Sequence, residues 1–290
     1  MVEPRAERGF EGPADLHLHS LRSDGTEAPA QVMIAAHRHG IRTAALTDHD
    51  TTSGWAEAAD AATSLGMTFL PGMELSAKHK WRSVHLLAYL IDPDDPALRA
   101  ETDRIRASRL TRARTMADRI SRDYDLVWDD ILAHATDGAT VGRPHIADAL
   151  IAKGLVADRA EAFAHILSPR GDYYVALYAP DPVAAVDLIV GAGGVPIIAH
   201  PAGRAGLLPM PLIERLLDHG LAGFELGHRE NLDAGRRTLA RIARERDLIT
   251  TGSSDYHGRG KPNIPGEFTT SDEMVQRIID AGTGSAPVFP

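Results

Sequence analysis

The residues with the most chemical potential in this chain lie in Asp15-Leu16-His17-Leu18-His19, followed closely by Ser23-Asp24-Gly25. Ala14 to His19 reads as a buried strand, and residues two apart on a strand point to the same face. His17 and His19 therefore project side by side from the strand's end, with Asp24 returning from the next loop. Two imidazoles and a carboxylate converging at one place suit a divalent metal ion. The same residue types recur downstream in Thr47-Asp48-His49-Asp50, Gly72-Met73-Glu74, His85, Ala199-His200-Pro201 and Ser253-Ser254-Asp255-Tyr256-His257. Each has an ordinary explanation by itself: Asp24 suits a turn, Asp48 or Asp50 could cap a helix, and His85 could be a satisfied core residue. Those explanations do not account for their coincidence at successive strand ends. Eight further histidines, among them His37, His39 and His219, receive no role.

The elements that must position these residues alternate. Strands are expected at 14–19, 43–47, 67–71, 84–90, 195–199, 223–226 and 248–253, and helices at 28–39, 54–65, 182–192, 210–219 and 232–246. Strands separated by single helices imply a parallel sheet. Seven strands with polar residues at their ends favour a barrel over an open sheet. In such folds the C-terminal strand ends and their loops form the active face. Between about Pro96 and Ala179 the rhythm breaks. Arg99 to Arg122 is helical in period and carries eight arginines against three acidic residues. Shorter helical patterns follow at 128–135, 143–152 and 157–167. The expected organisation is a barrel formed by 13–95 and 180–275, with 96–179 a helical insertion capping one end. Most of its arginines would form a solvated face. The Gly/Pro-rich tail after Tyr256 is expected to be a loop closing over the barrel.

Composition narrows the chemistry. The 290 residues carry a formal net charge of -9, so no global field draws the chain to nucleic acid or anionic membrane. With no cysteine, disulfides, thiolate metal sites and thiol nucleophiles are absent, leaving only N and O ligands for a metal. Met1 to Gly12 lacks the apolar core of a signal peptide, and no apolar run approaches the ~20 residues of a membrane span. A cytoplasmic protein with no membrane association and no evident obligate protein partner is expected.

The ordered motif set resembles the PHP (polymerase and histidinol phosphatase) family of metal-dependent phosphoesterases. It rests on Asp15-Leu-His-Leu-His19 with Ser23-Asp-Gly25, Thr47-Asp-His-Asp50, Gly72-Met-Glu74, His85, Ala199-His-Pro201 and Ser254-Asp-Tyr-His257, and it covers roughly 13–95 and 180–270. The resemblance implies a distorted (β/α)7 barrel of the PHP type holding two to three divalent ions, with Mn, Fe or Zn the choices that mixed His/carboxylate ligation allows. By the same resemblance the first ion takes His17, His19, Glu74 and Asp255. Glu74 bridges to a second, held also by His85 and His200, and a third takes Asp24, His49 and His257. The implied reaction is phosphate ester hydrolysis by a hydroxide held between the metals, with no covalent role for Ser20 or Ser76. Asp48 and Asp50 are candidates to protonate the leaving group, or else to orient the metal ligands.

The short insertion, Thr47-Asp-His-Asp50 and Ala199-His-Pro201 resemble the nucleotide-directed branch of the family. Val141-Gly-Arg-Pro-His-Ile-Ala147 matches a stretch in which that branch carries an Arg, and another follows the His-Pro motif. Arg143 and Arg204 would then clamp a second phosphate, for which a planar guanidinium fork is suited; His145 and Lys153 read as structural. A nucleoside 3′,5′-bisphosphate is the first expectation for substrate. The alternatives are 5′-3′ exonuclease action on short RNA, histidinol phosphate or nucleoside monophosphate hydrolysis, and a metal-binding regulatory barrel without activity. Trp81, Tyr89, Tyr173 and Tyr174 are the aromatic residues available to stack on a base.

Overall fold

A computed structural model describes residues 12–135, 139–203 and 206–290. Seven strands form one sheet in sequence order: β1 (Ala14–Leu18), β2 (Thr43–Leu46), β3 (Thr68–His79), β4 (Arg82–Tyr89), β5 (Val195–Ile198), β6 (Gly223–Gly227) and β7 (Ile249–Gly252). The sheet curls until its edges nearly meet: His19 N donates to Tyr256 O across 2.9 Å, and Leu18 bridges Tyr256 just beyond β7. The result is the nearly closed seven-stranded barrel that the motif order implied.

The sheet is mixed, which corrects the all-parallel expectation. β3 and β4 pair antiparallel, and so do β4 and β5; the remaining pairs are parallel. The reason is chain length. A parallel pair needs a crossover of a dozen or more residues, whereas only Lys80 and Trp81 separate β3 from β4. Residues 72–79, expected to be outside any strand, extend β3 well past the core as one arm of this hairpin.

Helices α1 (Pro29–Arg38) and α2 (Trp55–Ser64) cover β1–β3, burying Val32, Met33, Ala36, Ala58 and Ala62 against Leu18, Leu46 and Phe69. Between β4 and β5 the chain builds α3 (Pro96–Ile120), α4 (Trp128–Leu132), α5 (Arg143–Ala152) and α6 (Arg159–Ala164), then α7 (Pro182–Gly191). Met116, Ile120, Ile131, Ile146, Leu150 and Leu167 of this segment form a hydrophobic cluster of their own. α8 (Met210–Asp218) and α9 (Asp233–Glu245) complete the outer layer.

The tail is not only a loop. Ser271 caps α10 (Asp272–Ala281) through Met274 N, and Val275 and Ile278 join the cluster of Leu16, Leu70, Leu87 and Tyr89. That cluster fills the barrel, and inside it Tyr89 Oη donates to Leu16 O at 2.9 Å. No described helix is long and apolar enough to cross a membrane.

Candidate metal centre

One rim of the barrel gathers nine ligand-type side chains. β1 delivers His17 and His19, both fully buried, and the loop after it turns back sharply enough that a Cβ on Gly25 would lie 2.5 Å from His19 O. Only glycine fits there, and the turn sets Asp24 beside His19, with Oδ1 3.5 Å from His19 Nδ1. Asp50, His200 and Asp255, all at this rim, adopt left-handed backbone conformations with φ of 56°, 33° and 55°. Such strain in non-glycine residues is typical of sites whose surroundings dictate the geometry.

Glu74, from the middle of β3, stands at the centre. His17 Nε2 and His19 Nε2 are 3.1 Å apart, and each lies 3.1–3.5 Å from Glu74 Oε2 and Asp255 Oδ1. The other carboxylate oxygen, Glu74 Oε1, faces His85 Nδ1 at 2.8 Å and His200 Nε2 at 3.3 Å. On the far side, His257 Nε2 approaches Asp24 Oδ1 at 3.2 Å, and His49 Nε2 approaches Asp24 Oδ2 at 3.7 Å. Four groups of these residues have ligand atoms within 4.8 Å of one another: His17/His19/Asp255, His19/Asp24/His257, His19/His49/Glu74 and Glu74/His85/His200.

These residues fit divalent metal ions. Atoms bound ~2.1 Å from a tetrahedral ion lie about 3.4 Å apart, the spacing seen around His17 and His19. Three buried ring nitrogens, His49 Nδ1, His228 Nε2 and His257 Nε2, face carboxylate oxygens at 3.2–3.4 Å without forming a well-aligned hydrogen bond. The electrostatics agree. Burial alone would push the Glu74 carboxyl up, yet His49, His85 and His17 hold it well below the usual carboxylate range. Asp24 and Asp255 are likewise held low against their burial, by His257 and His49 in one case and by Lys261, His257 and His17 in the other. Burial pushes the His49 imidazole well down, with nearby Arg109 adding to it, while Glu225, Glu74 and Asp255 overcome burial to raise His17. Ionised carboxylates crowded with imidazoles in a dry pocket call for added positive charge.

Asp48 and Asp50 lie beside this centre but point elsewhere. Asp48 accepts from Ser20 N at 2.8 Å, Ser20 Oγ at 2.6 Å and Ser23 Oγ at 2.6 Å, tying the 19–24 loop to β2. Asp50 accepts from Ser76 N at 2.7 Å, Ser76 Oγ at 2.9 Å and Arg109 Nε at 2.9 Å. Arg143 opens α5, its Cζ 5.0 Å from the Phe163 ring and 5.9 Å from that of Tyr174. Arg204 lies outside the described residues. Lys153 pairs with Asp130 at 2.8 Å, and His145 Nδ1 accepts from Gly142 N at 3.2 Å, so both serve local structure.

Sequence reasoning passed over four residues. Glu225 accepts from His17 Nδ1 at 2.9 Å and from His200 N at 2.8 Å, fixing two histidines at once. Its signal was present: Gly223-Phe-Glu225 repeats the pattern of Gly72-Met-Glu74 at another strand end. His228 packs against His200 with centroids 5.1 Å apart and the rings tilted by 50°, and brings Nε2 within 3.4 Å of Asp255 Oδ2. Lys261 reaches the same oxygen at 2.6 Å, and Arg109 joins Asp50 to Ser76. No local pattern marked these last three, which lie in a loop, the tail and an arginine-rich helix.

A near-closed mixed barrel carrying a dense His/Asp/Glu rim defines a metal-dependent phosphoesterase of the PHP type. The PHP domain profile matches residues 15–133. The chain is 37% identical over 255 residues to a 3′,5′-nucleoside bisphosphate phosphatase of Chromobacterium violaceum, covering 85% of this chain and 88% of that protein. A 5′-3′ exoribonuclease of Haemophilus influenzae is 32% identical, with 84% and 89% covered. The crystal structure of a Bifidobacterium adolescentis protein assigned as a metal-dependent phosphoesterase superimposes with a TM-score of 0.92 at 38% identity, covering 95% of this chain and 98% of that one. This chain belongs to the PHP family and is a phosphoric ester hydrolase that uses divalent metal.

Proposed function

We propose that the protein is a phosphatase acting on a small nucleotide with two phosphates, a nucleoside 3′,5′-bisphosphate fitting best. The observation that carries this reading is a group of guanidiniums beside the metal centre. Arg109, Arg112 and Arg143 lie close enough that each of the last two is pushed below the ordinary arginine value, by burial first and by neighbouring guanidinium charge as well. Neither Arg112 nor Arg143 has a carboxylate partner among the described residues. They rest instead on backbone and rings: Arg112 Nε donates to Val175 O at 2.7 Å, and Arg143 Nη1 donates to Leu167 O at 3.3 Å. Buried like charges without counterions suit a polyanionic ligand. The group adjoins the rim, because Thr140 Oγ1 donates to His49 O at 3.0 Å and a Cβ on Gly142 would sit 3.6 Å from Arg109 Nη1.

In this reading His17, His19, Glu74 and Asp255 hold one ion, Glu74 with His85 and His200 a second, and Asp24, His49 and His257 a third, with Mn, Fe or Zn suited to the donors. When bound, the ions supply Lewis acidity toward a phosphoryl oxygen and a water nucleophile near neutral pH. Glu225 accepts the hydrogen bond from His17 Nδ1–H, so that Nε2 presents its lone pair to the rim. Asp48 and Asp50 act as positioning residues, since their oxygens are engaged by Ser20, Ser23, Ser76 and Arg109. Arg143, with Arg112 beside it, binds the phosphate that is retained, and Arg204 is assigned the same role on its sequence position after His200-Pro201 alone. The scissile phosphate lies at the rim. The Haemophilus relative supports a second reading, 5′-3′ cleavage of short RNA with the same rim chemistry. Phosphate release with Mn²⁺ from a bisphosphate, 5′-AMP, histidinol phosphate and 5′-phosphorylated RNA separates these. Preference for the bisphosphate is expected; equal turnover of 5′-AMP would overturn the two-phosphate reading.

A further inference from the structure

The β3–β4 hairpin does not end at the site it serves. Ser76 stands opposite His85 in its antiparallel register, and Lys78 opposite Ser83. Since side chains alternate along a strand, Glu74, Ser76 and Lys78 share one face with His85 and Ser83. Ser83 Oγ lies 3.0 Å from His85 Nε2, so the face is continuous outward from the metal centre. It leads to the turn Lys80-Trp81, four residues beyond His85, or roughly 13 Å at ~3.3 Å per residue.

That turn is chemically unusual. Lys80 has φ 57°, where a two-residue hairpin favours Asn or Gly. Trp81 is 81% exposed, the most of any large hydrophobic residue described. Neither backbone preference nor burial accounts for a tryptophan there. The tip is also basic: Lys78, His79, Lys80 and Arg82 surround Trp81, and no Asp or Glu occurs between Glu74 and Asp92. Among the described residues no ion pair engages Lys78 or Lys80. The hairpin is held in place by Arg82, which donates to Leu207 O at 2.8 Å and to Gly206 O, in the loop that follows His200. An exposed indole between uncompensated ammonium groups, on a hairpin anchored at Arg82, is the chemistry that stacks bases and tracks phosphodiesters in single-stranded nucleic acid.

We infer that the hairpin tip is a docking platform for a short single-stranded oligonucleotide whose terminal phosphorylated nucleotide occupies the rim. Trp81 stacks on a base beyond the terminal nucleotide, and Lys78 and Lys80 meet the phosphodiesters. This rests on the proposed nucleotide reading of the rim and adds a surface outside it, at the hairpin tip, that would hold the nucleotides following the terminal one.

The test uses the holoenzyme and a fluorescent, phosphorothioate-linked, 5′-phosphorylated pentaribonucleotide that resists cleavage. Base stacking on an aromatic side chain predicts that Trp81→Ala weakens pentamer binding about 5- to 150-fold, whereas Trp81→Phe keeps most of it. Lys78→Ala with Lys80→Ala flattens the salt dependence of binding. In all these variants kcat/KM for the 3′,5′-bisphosphate stays at the wild-type value. Unchanged pentamer affinity in Trp81→Ala overturns the inference, as does a concentration-dependent dimer that the variant abolishes while pentamer binding persists. If the wild type fails to hydrolyse the bisphosphate but binds the pentamer through Trp81, the two-phosphate reading fails and the platform stands.

Discussion

The barrel rim and the helical segment beside it treat charge in opposite ways. At the rim, carboxylates are buried among histidines and locked by main-chain and hydroxyl donors: Asp15 takes Gly266 N at 2.8 Å and Ser254 N at 3.0 Å, Asp48 takes Ser20, and Glu225 takes His200 N. In the segment, Arg109 and Arg159 pair with Asp50 and Asp148, but other guanidiniums lie over rings and under carbonyls, with Arg112 Cζ 5.2 Å from the Tyr174 ring and Arg119 Nη1 2.8 Å from Tyr174 O. The rim accumulates negative charge for cations to fill. On the proposed reading, the segment keeps positive charge for an anion. A reaction on a phosphate ester needs both, and in that reading they belong to different parts of the chain: strand ends for the chemistry, inserted helices for recognition.

The sharpest way to break that division is Glu74→Gln, which removes the one carboxylate facing five histidines. Turnover of every phosphate ester should fall about a thousandfold or more, the scale of several kcal/mol of lost charge stabilisation, and elemental analysis should find less bound metal. A Glu74→Gln variant that keeps both metal and rate would mean the centre lies elsewhere. Next in size, Glu225→Gln should lower metal affinity or kcat by about 10- to 100-fold, because it removes the acceptor that orients His17. Unaltered metal content and kcat would reduce Glu225 to a packing residue. Adding Mn²⁺ at about a hundred times its Kd should raise the melting temperature by several degrees, since binding to the folded state alone contributes about 2.7 kcal/mol. A chelator should reverse the gain, and an indifferent melting temperature would contradict a preformed site. Smallest of all, Lys153→Ala breaks a half-buried pairing with Asp130 and a looser one with exposed Asp125, neither of them among the rim residues, and should leave kcat/KM within about twofold.

What the sequence made legible follows from which interactions are local. His17 and His19 on one strand face, the turn at Asp24-Gly25 and α5 at Arg143–Ala152 are written in nearby residues, and the structure has them as expected. The antiparallel hairpin was hidden because Lys80-Trp81 carries no Gly, Asn or Pro to announce a turn. α10 was hidden by its Gly/Pro-rich flanks, although Ser271 and the spacing of Val275 and Ile278 were in plain sight. Arg109 illustrates a harder limit. Its partners Asp50 and Ser76 are 59 and 33 positions away, and only the packing of α3 over the barrel brings them together.

The most direct measurement is kcat/KM for a nucleoside 3′,5′-bisphosphate and for the matching 5′-monophosphate, in the wild type, Arg143→Lys and Arg143→Ala. Loss of a charge-assisted contact to the retained phosphate predicts a fall of about 10- to 100-fold for the bisphosphate in Arg143→Ala. Arg143→Lys should fall between, because it keeps the charge without the planar fork. The monophosphate rate should change less than about threefold, since the rim is untouched. Equal losses on both substrates, or none on either, would contradict the division of labour between rim and inserted helices.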